Sequence, residues 1–175
     1  MVEELRIYPG PNQAKLWATK KHEGQIRKYT GEPYIEHPIA VSELVREHGL
    51  SETAIIAAIL HDTVEDTEAT MEEVVKLFGE DVAEYVWYLT KPPEFVGDRA
   101  KRKEHDRNRL ALAPEEVKFI KFYDILHNAG SIKKHDPDFY ATWKYEMQLL
   151  FLAMDIHSLD FGEHSEDAAC FLESL

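Results

Sequence analysis

His61-Asp62, at the end of the apolar run Thr53-Ala54-Ile55-Ile56-Ala57-Ala58-Ile59-Leu60 and followed by Glu65-Asp66, offers an imidazole and three carboxylates within six residues. On a helix of 3.6 residues per turn, His61 and Asp62 project about 100° apart, with Glu65 and Asp66 one turn further on, beneath them. Those groups can hold a metal ion or move a proton. A lone His-Asp pair ordinarily marks a turn or a helix end, but this one closes a segment apolar almost all round, the signature of a buried helix. Polar groups there are costly without a partner or a metal.

Two more residues look misplaced unless they meet that pair. His37 lies in Glu32-Pro33-Tyr34-Ile35-Glu36-His37-Pro38, where the following proline predicts an extended backbone just before a helix starts. Asp124 is a carboxylate in the largely apolar run from Val117 to Asn128, and a buried carboxylate needs a cation or several donors. Together His37, His61, Asp62 and Asp124 give two nitrogens and two oxygens with positions left for water, the pattern of a catalytic rather than a structural site. Cys170, the sole cysteine, is remote in sequence from all of them, so the ligands are His and carboxylate, a set suited to Mn²⁺, Fe²⁺ or Zn²⁺.

The elements that must position these groups are helical. The pattern predicts helices over residues 12–29, with Trp17 and Ile26 inward, and 38–47, with Pro38 at its first position and Gly49 closing it. Thr70 and Glu73 form a capping box for a helix ending at Gly79. Further helices are expected over residues 81–89, stopped by Pro92-Pro93, and over the basic segment 99–112. A long one opens at Pro114-Glu115-Glu116 and runs to Asn128, followed by 138–155 and 165–173.

The chain has 175 residues and no Pro/Gly/Ser-rich linker, which predicts one domain. No apolar stretch is long enough to span a membrane and Met1-Val2-Glu3-Glu4 has no signal-peptide character, so the expected location is cytoplasmic. A formal charge of −13 argues against nonspecific binding to nucleic acid. A small anionic substrate then needs local positive charge. Lys20, Lys21, Arg27 and Lys28, assigned to the first helix, and the cluster Arg99, Lys101, Arg102, Lys103, Arg107 and Arg109 can supply it.

Four segments in order, His22-Glu23-Gly24-Gln25-Ile26-Arg27-Lys28, Gly31 to Pro38, Leu60 to Thr67 and Asp124-Ile125-Leu126-His127-Asn128, resemble the HD-superfamily hydrolase domain of RelA/SpoT proteins in its small single-domain form, over roughly residues 14–132. The resemblance implies an all-α, single-domain HD-type helical bundle around one divalent ion, most often Mn²⁺, held by His37, His61, Asp62 and Asp124. It implies Glu65 and Asp66 as the groups that position or activate the attacking water. Arg27, Lys28 and Asn128 are implied to face the nucleotide, with Lys101 and Arg102 on its distal phosphates. The implied reaction is hydrolysis of the 3′-pyrophosphate of the guanosine alarmone (p)ppGpp.

The chain departs from the family pattern at Ile125 and Gly130, where many alarmone hydrolases carry arginine. That departure keeps open a phosphatase of another phosphorylated nucleotide or dinucleotide. A nucleotide-binding module without catalysis is a third reading, disfavoured because all four ligands and both acids are present. Oligomeric state is not legible in the sequence.

Overall fold

The computed structural model describes residues 9–91 and 97–175. The first helix, α1 (Pro11–Lys21), starts with proline in its first turn and ends well short of the expected Tyr29. Gly24 takes φ +81°, a conformation that costs other residues a Cβ clash, and the chain turns out of the helix there. It continues as a narrow loop pinned by an antiparallel bridge between Ile26 and Pro33 and by bonds from Arg27 N–H to Glu32 C=O (2.8 Å) and Tyr34 N–H to Gln25 C=O (2.9 Å). Consequently Ile26 is 68% exposed rather than inward, and Arg27 and Lys28 sit on this loop rather than on the first helix.

Helix α2 (Glu36–Glu47) begins two residues before Pro38, so His37 is helical and not extended. Proline is tolerated there because the first turn's N–H groups have no intrahelical partner to lose. Gly49, at φ +81°, closes the helix as expected. Next come α3 (Glu52–Leu60) and the single turn α4 (Thr63–Asp66), with His61 and Asp62 at the break between them. Helix α5 (Met71–Phe78) opens on the expected reciprocal capping box of Thr70 and Glu73. Helix α6 (Glu80–Leu89) ends at Thr90; the proposed stop, Pro92-Pro93, lies outside the described residues.

Helix α7 (Arg99–Ala111) is capped by Asp98. Helix α8 (Glu115–His135) runs two turns past Asn128, because burial of Ala129 and Ile132 offsets the roughly 1 kcal/mol that a mid-helix glycine such as Gly130 costs. After α9 (Pro137–Ala153) and two short 3₁₀ turns, α10 (Ser165–Ser174) ends the chain. Among the described residues there is no extended strand pairing beyond the one bridge, and no helix is long and apolar enough to cross a membrane.

Helix α3 is the hub. Residues Ala54 through Leu60 are all buried, and the helix packs against α1, α2, α6 and α8. Its small residues Ala54, Ala57 and Ala58 are fully enclosed and allow close helix approach, while Ile59 and Leu60 join Val41, Val45, Val117 and Ile120 in one continuous core. Each such branched side chain contributes about 1.5–3 kcal/mol on burial. Helix α8 reaches this hub from the other side and also packs on α9, while α7 leans on α9.

The start of α3 is fixed by one carboxylate. Ser51 Oγ accepts from Ala54 N–H, and Glu116 at the head of α8 accepts from Ser51 N–H (2.8 Å), Ser51 Oγ (2.7 Å) and Tyr85 of α6 (3.0 Å). Replacing Ser51 with alanine removes the cap and one of these bonds; equilibrium urea unfolding is expected to show a loss of about 1–2 kcal/mol.

Candidate metal centre

Three elements deliver the four expected ligands to one point: His37 from the first turn of α2, His61 and Asp62 from the α3–α4 break, and Asp124 from the middle of α8. His37, His61 and Asp124 are buried, at 2%, 2% and 6% exposure. His37 Nε2 lies 3.0 Å from Asp124 Oδ1 and 3.8 Å from Asp62 Oδ2; His61 Nε2 lies 3.1 Å from Asp62 Oδ2 and 3.8 Å from Asp124 Oδ1. Ligand atoms about 2.0–2.2 Å from an ion are roughly 3.0–3.5 Å apart at right-angled or tetrahedral positions, so this spacing suits a single small cation. His37, His61 and Asp62 alone can hold a metal ion, their donor atoms lying within 4.8 Å of one another.

Hydrogen bonding decides which way the rings present their lone pairs. His61 Nδ1 is 2.8 Å from the carbonyl of Ala58, which can only accept, so Nδ1 carries the proton. That leaves His61 Nε2 buried, without a hydrogen-bond partner, facing two carboxylates. A buried orphan nitrogen aimed at anions fits a cation between them.

The electrostatics agree. Burial alone would lower the His61 pKa, yet Asp62 and Asp124 outweigh it and push it up to about 9. Asp62 and Asp124 are held well below the ordinary carboxylate range: burial opposes this, but His61 dominates at Asp62 and Lys121 and His37 at Asp124. The two acids thus draw a positive charge into the cluster.

A surrounding set of donors orients the ligands. Tyr34 Oη donates to Asp62 Oδ2 at 2.6 Å, and its ring stacks on His22. Lys121, one helical turn before Asp124, donates to Asp124 Oδ2 at 2.7 Å. Asn128, one turn after, donates from Nδ2 to Asp124 Oδ1 (2.7 Å) while its Oδ1 accepts from Arg27 Nη2 (2.8 Å). Behind His37, the Nδ1 atoms of His37 and His127 are 2.9 Å apart. Tyr34, Lys121 and His127 were not singled out in the sequence; a donor three or four residues from Asp124 on the same helix was the available signal for Lys121.

Glu65 and Asp66 line a cavity of about 250 Å³ beside the cluster, together with Leu89, Ile125, Trp143 and Met147 among others. Lys91 clasps Glu65 through its Nζ and its backbone N–H. Asp66 is pushed above the usual carboxylate range by partial burial and by the neighbouring Asp62 and Glu65 carboxylates.

The cations of α7 divide unexpectedly. Lys101 and Arg102 are exposed and do not line the cavity, and the Arg102 guanidinium donates to the Gly97 carbonyl. Lys103, Arg107 and Arg109 line it instead. Arg109 is buried and spent on the Trp87 and Thr90 carbonyls at the end of α6. Lys103 stands 3.8 Å from Glu146, and Arg107 makes no ion pair within 4 Å among the described residues. Arg27, Lys28 and Tyr29 line a smaller adjoining recess of about 160 Å³ that shares Tyr34 and Asn128 with the main cavity.

The HD domain family profile matches residues 14–154. The chain belongs to the HD domain family. Its HD domain is 37% identical, over 130 residues, to the bifunctional (p)ppGpp synthase/hydrolase SpoT of Escherichia coli K12, covering 72% of this chain and 18% of that protein. It is 31% identical to a GTP pyrophosphokinase of Myxococcus xanthus, covering 89% of this chain and 24% of the relative. The chain therefore spans about a fifth to a quarter of these curated relatives. Among solved structures, a metazoan ortholog of SpoT that hydrolyses ppGpp superposes with TM-score 0.71 at 30% identity, covering 86% of this chain and 95% of that one. A Listeria monocytogenes protein superposes with TM-score 0.65 at 28% identity, covering 83% and 99%. The resemblance to RelA/SpoT proteins carried by the four sequence segments is met by these relatives.

The Lys121–Asp124 pair gives a test of the charge demand in this HD domain. Lys121→Met removes a charged hydrogen bond to a buried carboxylate and should destabilise the metal-free protein by about 1–3 kcal/mol. Saturating divalent ion should restore stability through linkage, more in the variant than in the wild type, as read by thermal unfolding with and without Mn²⁺.

Proposed function

We propose that this HD domain is a metal-dependent phosphohydrolase that removes the 3′-pyrophosphate of guanosine alarmones, converting (p)ppGpp to GDP or GTP and pyrophosphate, with Mn²⁺ as the ion and the cytoplasm as its setting. The observation that carries the reading is the buried, unpartnered His61 Nε2 among His37, Asp62 and Asp124, beside a cavity that Glu65 and Asp66 help to line. The similarity to SpoT and to the metazoan ppGpp hydrolase supplies the substrate class. Residues 1–175 are proposed to act as one domain, with the motif-bearing core over about 14–132.

His37, His61, Asp62 and Asp124 would hold the ion. When bound, it supplies Lewis-acid polarisation of a phosphoryl oxygen and acidification of water. Tyr34 and Asn128 keep the Asp62 and Asp124 carboxylates turned toward the cluster. Asp66, its pKa raised, is suited to take a proton from the attacking water, and Glu65, fixed by Lys91, to orient that water. Attack on the phosphorus attached to the 3′ oxygen breaks that P–O bond, releases pyrophosphate and returns a proton to the ribose oxygen. Arg27, Lys28 and Asn128 border the recess in which the nucleoside is proposed to lie, and Lys103 and Arg107 border the cavity for the departing phosphates.

Ile125 favours a second reading. It lines the cavity at a position where the family pattern carries arginine, so that point of the wall is apolar and lacks one cation. A substrate with fewer phosphate charges, another phosphorylated nucleotide or a dinucleotide, suits that wall. Incubation of the Mn²⁺ protein with ppGpp separates the readings: pyrophosphate release supports the first, and phosphate release from other nucleotides with ppGpp untouched supports the second. Binding with no release under any divalent ion would show a module without catalysis.

His61→Ala and Asp62→Ala should lose metal and turnover together, whereas Glu65→Ala and Asp66→Ala should keep stoichiometric metal and lose turnover, as read by elemental analysis beside product release. Metal loss in the second pair equal to that in the first would make those acids ligands.

The cations of α7 yield a further expectation. Lys103→Ala and Arg107→Ala should raise KM by about 2- to 30-fold, about 0.5–2 kcal/mol, with less effect on kcat and a smaller effect at high salt. Lys101→Ala and Arg102→Ala should change neither. The opposite ranking across ionic strength would return the phosphate contacts to Lys101 and Arg102.

A further inference from the structure

His37 and His61 face the same cluster through Nε2, but their rings are held from behind by different partners. Behind His61 is the Ala58 carbonyl, which can only accept a proton. Behind His37, at 2.9 Å, is Nδ1 of His127, a group able either to accept or to donate. His127 lies on α8, three residues after Asp124, and its half-buried ring packs against that of His37 with centroids 4.9 Å apart.

Two ring nitrogens at 2.9 Å share one proton. If His37 offers its Nε2 lone pair to an ion, a neutral ring has its proton on Nδ1, and that N–H must donate to His127. His127 must then present a bare Nδ1 and keep its own proton on Nε2. The reverse arrangement, with His127 donating, leaves His37 protonated on Nε2, as its 3.0 Å hydrogen bond to Asp124 Oδ1 requires in the metal-free protein, and would turn an N–H on the ion. We infer that His127 is a positioning residue that, when an ion is bound, holds His37 in its ligating tautomer by accepting its Nδ1 proton. The inference rests on His37 being a ligand, as proposed above. A metal-ligating histidine generally has its second nitrogen fixed by an acceptor, and loss of such a partner typically lowers metal affinity about 10- to 100-fold.

The polarity of the bond, as opposed to ring packing, is separable by paired variants. His127→Phe keeps a ring against His37 and removes the acceptor; His127→Gln loses the ring but offers Oε1 as an acceptor. Mn²⁺ affinity, measured by calorimetry on the intact chain, should fall about tenfold or more in His127→Phe and recover most of that loss in His127→Gln. Equal affinity in wild type and His127→Phe, or a Gln variant no better than Phe, overturns the inference. His37→Ala is the control for its premise: unchanged Mn²⁺ affinity there removes His37 from the site altogether, whereas weakened affinity with a normal Phe variant removes only the part given to His127. A second readout does not depend on any variant folding. In the Zn²⁺-loaded wild-type protein with ¹⁵N-labelled histidine, His37 should carry its proton on Nδ1 and His127 on Nε2; a proton on His127 Nδ1 contradicts the assignment.

Discussion

Two imidazoles and two carboxylates, three of the four buried, set the condition the rest of this molecule satisfies. Desolvated carboxylates are costly without positive charge, and here the cost is met from several directions: Lys121 on Asp124, Tyr34 on Asp62, Asn128 on Asp124, and the raised proton affinity of His61. The helices are arranged to make that gathering possible. The small residues of α3 let α2 and α8 approach its end closely, and the break after Leu60 turns Asp62 toward His37 and Asp124 instead of continuing the helix.

The same principle governs the cavity. Most of its cations are matched to acids: Lys91 to Glu65, Lys121 to Asp124, Lys103 to Glu146 and Arg109 to Asp106. In a protein of net charge −13, such a cavity offers an anion little surplus attraction unless an ion sits in the cluster. On the proposed reading, ion and substrate are therefore coupled, each lowering the electrostatic cost of the other.

Much of this was legible in the sequence where the signal is local. The capping box of Thr70 and Glu73 needs only a four-residue pattern, and the four cluster residues stood out because each is polar or charged where its surroundings predict burial or a constrained backbone. Long-range consequences were not legible. The first helix ends near Gly24 because of a backbone conformation that the pattern of apolar residues does not encode, which moved Arg27 and Lys28 onto a loop. The rule for residues before proline misplaced His37, since it weakens at a helix's first turn. Helix α7 is polar almost all round, so nothing in its composition distinguished Lys101 and Arg102 from Lys103 and Arg107. Those last two are one turn apart and share the face that α9 and the cavity select.

One divalent ion is proposed to bind two imidazole nitrogens and two carboxylates in this cluster. X-ray absorption spectroscopy of the protein loaded with one equivalent of Zn²⁺ tests it most directly. A first shell of nitrogen and oxygen at about 2.0–2.2 Å with the outer-shell scattering of two imidazoles and no sulfur is expected, and His61→Ala should lose that bound ion. A shell without imidazole, or one unchanged by that substitution, would contradict it.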